Sequence, residues 1–170
     1  MSQVVELESI QFIQLSVPNL RRLAASEPVE LEALKIYEDA LPPSKTVARA
    51  LTQLDLGTPA FWCIPFLIVS TSRSTLLGAC GFKTAPVNGS VEISYGVARA
   101  ERGRGVATTA IGQLQQLAAS SDLVQQVVAH MVPDNIASSK TVARLGFSPE
   151  GSLVDTDGEL VMRWAWPVAI

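Results

Sequence analysis

The sequence predicts an α+β fold built around a mixed, mostly antiparallel sheet. Strand patterns at 61–69, 75–82 and 90–97 follow one another across turns too short for a parallel crossover. A strand–helix–strand unit comes only afterwards, over 90–131, and two further strand patterns close the chain behind a last helix. That order excludes a doubly wound arrangement, in which strands and helices alternate from the start.

Each element follows from local chemistry. "IQFIQL" (10–15) alternates and carries β-branched and aromatic residues, so it reads as a strand, and "SVPNLRRLAAS" reads as a short helix. "EPVELEALKIYEDAL" (27–41) predicts a second helix, with Pro28 in its first turn and Leu31, Leu34 and Leu41 on one face, stopped by Pro42-Pro43. Ser44 is placed to cap a third, "KTVARALTQLD", which Gly57 ends. Phe61–Val69 is a strongly apolar strand, "TSRS" a turn, and 75–82 the next strand. Asn88-Gly89 is a hairpin signal ahead of the strand "SVEISYGV" (90–97). Apolar residues at 106, 107, 110, 111, 114, 117 and 118 have helix spacing. "QQVVAHM" (125–131) is a strand, and 134–145 is a helix that Asp134 or Asn135 can cap and Gly146 can end. "FSPEGSLV" and "ELVMRWAW" are closing strands around the turn "DTDG".

Composition bounds the function. A chain of 170 residues with 48% apolar and 17% charged residues fits one folded domain with a full core. A net charge of −3, without blocks, argues against a nucleic-acid-coating surface. Cys63 and Cys80 have no metal-ligand spacing and sit in apolar runs as buried thiols; with His130 the single histidine, no metal site is expected. "MSQVVELESI" lacks the features of a secretory leader, and the apolar stretch 59–70 is broken by Pro65 and too short to span a bilayer, so a cytoplasmic protein without membrane contact is expected. The apolar tail "WAWPVAI" offers a surface for homodimer formation.

The densest chemical signal is "ARAERGRGVATTAIG" (98–112). Gly103 and Gly105 can take positive φ and bring the backbone close to a ligand. The helix that follows presents unpaired N–H groups and the positive end of its dipole, Arg102 and Arg104 add forked donors, and only Glu101 opposes them. A phosphate, best a pyrophosphate, suits that design. No lysine follows either glycine as a P-loop requires, and Thr108 fills the last slot of G-x-G-x-x-G, so both nucleotide-loop readings are weak. A tight turn with solvated arginines is the competing reading.

Arg102-Gly103-Arg104-Gly105-Val106-Ala107 resembles the R/Q-x-x-G-x-G/A signature of the GNAT acetyltransferases. "VVAHMVPDNIASSKTVARLGFSPEG" (127–151) is similar to that family's later motif, and with "EISYGV" it looks most like the branch of ribosomal-protein N-terminal acetyltransferases. The likeness spans 76–151. It implies one acetyltransferase domain over 1–170, helices on both faces of the sheet, and strands 90–97 and 125–131 that run parallel and splay apart at a cofactor cleft. It implies acetyl-CoA used directly, with no metal and no covalent enzyme intermediate. The Val97 backbone would bond the pantetheine, and the amides of Gly103, Arg104, Gly105, Val106 and Ala107 the pyrophosphate, flanked by the charges of Arg102 and Arg104. Asn135, Ser138 and Lys140 would complete the cofactor site, although Asn135 serves equally as a helix cap and Lys140, one turn from Arg144, as solvated surface.

Transfer to an amine needs a polarised carbonyl, a base, and a way to neutralise the thiolate. A backbone N–H beside a bulge near Val97 is the expected carbonyl donor. Glu92, on one face with Ser94 and Gly96, is the candidate base acting through water, or else a solvent-facing strand residue. Val142 occupies the slot where many relatives carry a tyrosine acid; Ser138 is the candidate that remains, Tyr95 a lesser one, or the thiolate leaves unaided. His130 reads as a satisfied sheet residue, and Trp62, Trp164 and Trp166 as core or as walls of an acceptor pocket. The acceptor is a primary amine: a small polyamine-like metabolite, an amino acid or a peptide N-terminus. A non-catalytic acyl-CoA-binding module is the alternative. The acidic stretch at 27–39 suits a cationic partner or plain solvated surface.

Overall fold

The computed structural model describes residues 9–31 and 33–169. The start of the chain, where no leader was expected, lies almost wholly outside them. Among the described residues the elements are β1 (Ile10–Gln14), α1 (Val17–Ala24), β2 (Lys35–Ile36), α2 (Ser44–Asp55), β3 (Phe66–Ser70), β4 (Thr75–Phe82) and β5 (Ser90–Val97). They continue with α3 (Val106–Ala119), β6 (Gln126–Met131), α4 (Ile136–Arg144), β7 (Ser148–Val154) and β8 (Leu160–Pro167). The strands form one sheet in the order β1-β3-β4-β5-β6-β8-β7, with β2 beside the start of β4. All pairs along that path are antiparallel except β5 with β6.

Alternation on the strands splits the core in two. Leu20 of α1 and Val47 and Ala50 of α2 pack with Leu67, Val69 and Leu76 on one face. Val106, Ala110, Ile111 and Leu114 of α3 pack with Leu77, Val91, Ile93 and Val127 on the other. The expected helices on both faces are therefore present. Both cysteines are buried, and burial pushes both thiols up, which keeps them protonated. No helix among the described residues is long and apolar enough to cross a membrane.

Three local expectations fail for physical reasons. The helix predicted over 27–41 is not formed: Ala33 takes φ 60°, Lys35 and Ile36 pair with Thr75 and Leu76, and Glu38–Ala40 is a 3₁₀ turn. Leu31, Leu34 and Leu41 still pack on the core, but from an irregular chain. The strand predicted from Phe61 starts at Phe66, because Ala60–Trp62 closes a 3₁₀ turn ahead of Pro65. Ser44 is the first residue of α2, whose cap is Pro43. The Asn88-Gly89 turn is as read: both residues have positive φ, and Val87 and Ser90 exchange both backbone bonds across it.

The join between the two halves of the sheet positions the site. β5 and β6 pair over only three rungs, Ser90 with Gln126, Val91 with Val127 and Glu92 with Val128, and then separate. β4 meanwhile stays on β5 as far as Val97, in regular register. The ladder of β4 with β5 thus carries no register shift at the bulge expected near Val97; such shifts fall at Ile68/Val69 between β3 and β4 and at Pro149/Gly151 between β7 and β8. At the end of that regular ladder the two backbones come so close that a Cβ on Gly78 would sit 2.1 Å from the Gly96 carbonyl oxygen.

Candidate active site

Lys83 N–H donates to the Glu92 carbonyl and Ala98 N–H to the Leu77 carbonyl, so every second residue of β5 bonds to β4. The residues between them turn their peptide groups the other way, toward β6; Ile93 stands at the last rung of that pairing, and Tyr95 and Val97 face the gap beyond it. That gap is an edge inside a sheet, built from backbone alone.

The glycine turn stands at the open end of the gap. Arg99–Glu101 forms a 3₁₀ turn, Gly103 has φ 79° and Gly105 φ 77°, and α3 starts at Val106 with no side chain capping it. A Cβ on either glycine would meet nothing within 4 Å, so the concave face of the turn is open. The amides of the first α3 turn have no acceptor within the helix. Arg102 is exposed and spends its Nε on the Val97 carbonyl at 3.1 Å, which caps one of the expected pantetheine partners.

Glu101, which the sequence showed only as a stray negative charge, holds this turn from beneath. It is 1% exposed and accepts from Arg73 through both oxygens, at 3.1 and 2.7 Å, and from the Tyr37 hydroxyl at 3.1 Å. Arg104 lies 3.7 Å from the same carboxylate. The Arg73 bonds hold the Glu101 carboxyl below its ordinary range against the opposing effect of burial. Nothing in the sequence links Arg73 to Glu101 across 28 positions.

Across the gap, Asn135 caps α4 by accepting from the Ser138 amide at 3.1 Å, so its bland role is realised. Ser138, at the start of α4, and Tyr95, on β5, lie near each other across the gap. Burial raises the Tyr95 pKa while Ser138 opposes the rise, so the phenol stays protonated at neutral pH. Lys140 and Arg144 are exposed on α4. Val142, at the usual tyrosine slot, is 0% exposed and packs in the core with the α3 face.

Glu92 lies on the opposite face of β5 from Tyr95, is ion-paired with Lys83, and lies 3.0 Å from His130 Nδ1. His130 is therefore a partner of the candidate base, which its place on a strand did not reveal. Its Nε2 is buried with no protein partner among the described residues. The tryptophans wall no acceptor pocket: Trp62 stacks edge-on to Phe61 and Phe82, and Trp164 and Trp166 pack on the α3 face, away from Glu92.

On the Glu92 side, a cavity of about 250 Å³ opens between residues 39–49, β4 and β5. Ser94, Tyr95, Gly96 and Val97 line one wall and Asp39, Thr46 and Arg49 the other. Asp39 is exposed and accepts the Arg99 amide at 2.8 Å, which ties this wall to the glycine turn. Arg49 is half-buried; desolvation lowers its pKa, and the field of Glu92 opposes that shift. Its sequence setting, an arginine on an amphipathic helix, gave no sign of this.

The profile of the acetyltransferase (GNAT) domain matches residues 21–148. An uncharacterised N-acetyltransferase of Bacillus licheniformis, p20, is 32% identical over 91 residues, covering 53% of this chain and 51% of the relative. The chain thus spans about half the length of the curated relatives it matches. Among solved structures, the ribosomal-protein-S5-alanine acetyltransferase of Vibrio fischeri shares the fold at a TM-score of 0.65 and 14% identity, over 96% of this chain and 95% of that one. The aminoglycoside acetyltransferase AAC(6')-Ib in complex with coenzyme A does so at 0.66 and 14%, over 94% and 95%.

Proposed function

The chain belongs to the GNAT acetyltransferase family, and from that premise we propose that it transfers an acetyl group from acetyl-CoA directly to a primary amine, acting as one domain. The observation that carries this reading is the three-rung join of β5 and β6 opening beside an unfilled glycine turn. The peptide groups of Tyr95 and Val97 bond the pantetheine arm as a missing strand would. The amides of 103–107 receive the pyrophosphate, and Arg102, Arg104 and Lys140 supply positive charge around it.

The acceptor enters through the cavity on the Glu92 side. Glu92 draws a proton from the ammonium through water, and Lys83 and His130 hold its carboxylate in place. A gap-facing N–H of β5 polarises the thioester carbonyl. The amine nitrogen bonds to the carbonyl carbon and gives up its second proton to water, the carbon–sulfur bond breaks, and the electron pair leaves on the coenzyme A sulfur. The Tyr95 hydroxyl, near Ser138, supplies the proton that sulfur takes up, and solvent restores it.

Coenzyme A is expected to raise the Tm, and a panel of amines to release free thiol from acetyl-CoA. Glu92→Gln should lower kcat by about 100-fold while coenzyme A still stabilises the protein. The binding-only reading draws on Glu92 being already engaged by Lys83 and His130. Stabilisation by coenzyme A with no thiol released for any amine favours that reading.

A further inference from the structure

We propose that the acceptor cavity selects amines that carry their own carboxylate, and that Arg49 is the receptor for it. This rests on the acetyl-transfer reading above and specifies its acceptor.

The cavity, about 250 Å³, is smaller than the ~300–1,000 Å³ that holds a drug-sized ligand. It takes an acceptor, or the exposed end of one, about the size of a single amino acid. Three ionised side chains line it, Asp39, Arg49 and Arg102. Asp39 is exposed and already accepts from a backbone amide, and Arg102 is exposed and bonded to Val97. Arg49 differs from both. It is half-buried and has no ion-pair or hydrogen-bond partner among the described residues, whereas the other half-buried arginines are paired, Arg22 with Glu30 and Arg163 with Glu150.

A guanidinium that has lost part of its water and gained no anion is an unfinished interaction. Glu92 is the acidic group whose field reaches it, but that carboxylate already has Lys83 and His130 beside it. An incoming carboxylate completes the arginine through two parallel N–H bonds, which its planar fork is shaped to give. With that end fixed on α2, the amine points across the cavity at Ser94 and Gly96, toward the gap where the thioester lies. A polyamine offers nothing to Arg49 and is repelled by it. A free amino acid and a peptide with an acidic first residue share the required chemistry.

The test compares kcat/KM, at saturating acetyl-CoA, for free α-amino acids against their own carboxamides, peptides beginning with Asp or Glu, and spermidine. Free acids or acidic-start peptides should exceed carboxamides and spermidine by about 10- to 100-fold. Which of the two leads identifies the source of the carboxylate. Arg49→Gln should bring the ratio near one, mainly through KM, with Arg49→Lys between. Equal rates for acids and carboxamides in the wild type overturn the proposal without any variant, as does a preference that survives Arg49→Gln. If no amine is acetylated, the transfer reading falls. Calorimetry of amino acids and carboxamides on the coenzyme A-loaded protein then decides this one: Arg49-dependent binding of the acids upholds it, and its absence overturns it.

Discussion

The glycine turn with its gap and the cavity beside it share one stretch of β5 but are made differently. The first is drawn from one unbroken run of chain, residues 93–107, and its working groups are peptide N–H and C=O. The second is assembled from separate segments between Asp39 and Arg102, and its working groups are side chains on an irregular loop and a helix face. A backbone site needs only the correct fold and glycine where Cβ would intrude. A side-chain site needs particular residues brought together by packing. Relatives that keep the fold at 14% identity can keep the first while changing the second.

Gly105→Asp should have the largest effect, because it places a carboxylate at the mouth of α3 where the amides await an anion. Affinity for coenzyme A, measured by calorimetry, is expected to fall about 100-fold or more, with the far-ultraviolet spectrum unchanged. Retained affinity would erase the distinction drawn above, since the turn would then not depend on its amides.

The Arg73–Glu101 pair joins the two regions, because Tyr37 and Asp39 hang on the same 3₁₀ turn. Arg73→Met should cost about 3 kcal/mol in urea unfolding, since it removes the bidentate partner of a buried carboxylate. The Glu101 carboxyl is depressed in the folded state, so its contribution is complete above the ordinary carboxylate range and is lost as pH falls through its lower native value. Glu101→Gln should therefore flatten the decline of stability between about pH 5 and pH 2 relative to the wild type.

The smallest change sharpens the comparison from the chemical side. Val142→Tyr restores the residue that many relatives carry, yet the side chain there is 0% exposed. It should cost about 1–3 kcal/mol by overpacking and leave kcat no higher. A rise in kcat would mean that α4 can turn this position into the gap.

How much was legible follows the same division. From β4 onward the period of the apolar residues, the Asn88-Gly89 turn and the glycines after Gly103 each named their element, because each acts within a few residues. The segment 27–41 misled because its leucines are buried at helical spacing, while β4 claimed Lys35 and Ile36 as a short strand at the point where β5 leaves off. Glu92 was singled out for its face of the strand, but its ties to Lys83 and His130 depend on two strands meeting it from either side. Arg49 and Glu101 were missed outright. Their significance lies in what surrounds them, and no spacing records that.

A strand whose outer peptide groups stand unpaired is ordinarily a hazard at the rim of a sheet, where another chain can dock and start aggregation. Here that hazard sits in the middle, around Tyr95, between the last rung with β6 and the Val97 carbonyl that Arg102 occupies. Its protection is geometric: the opening is a few residues long, and Arg102 lies across its last carbonyl. An extended intruder of ordinary length finds no continuous ladder there, so the same shortness that shapes the gap for a slender guest keeps neighbouring chains out.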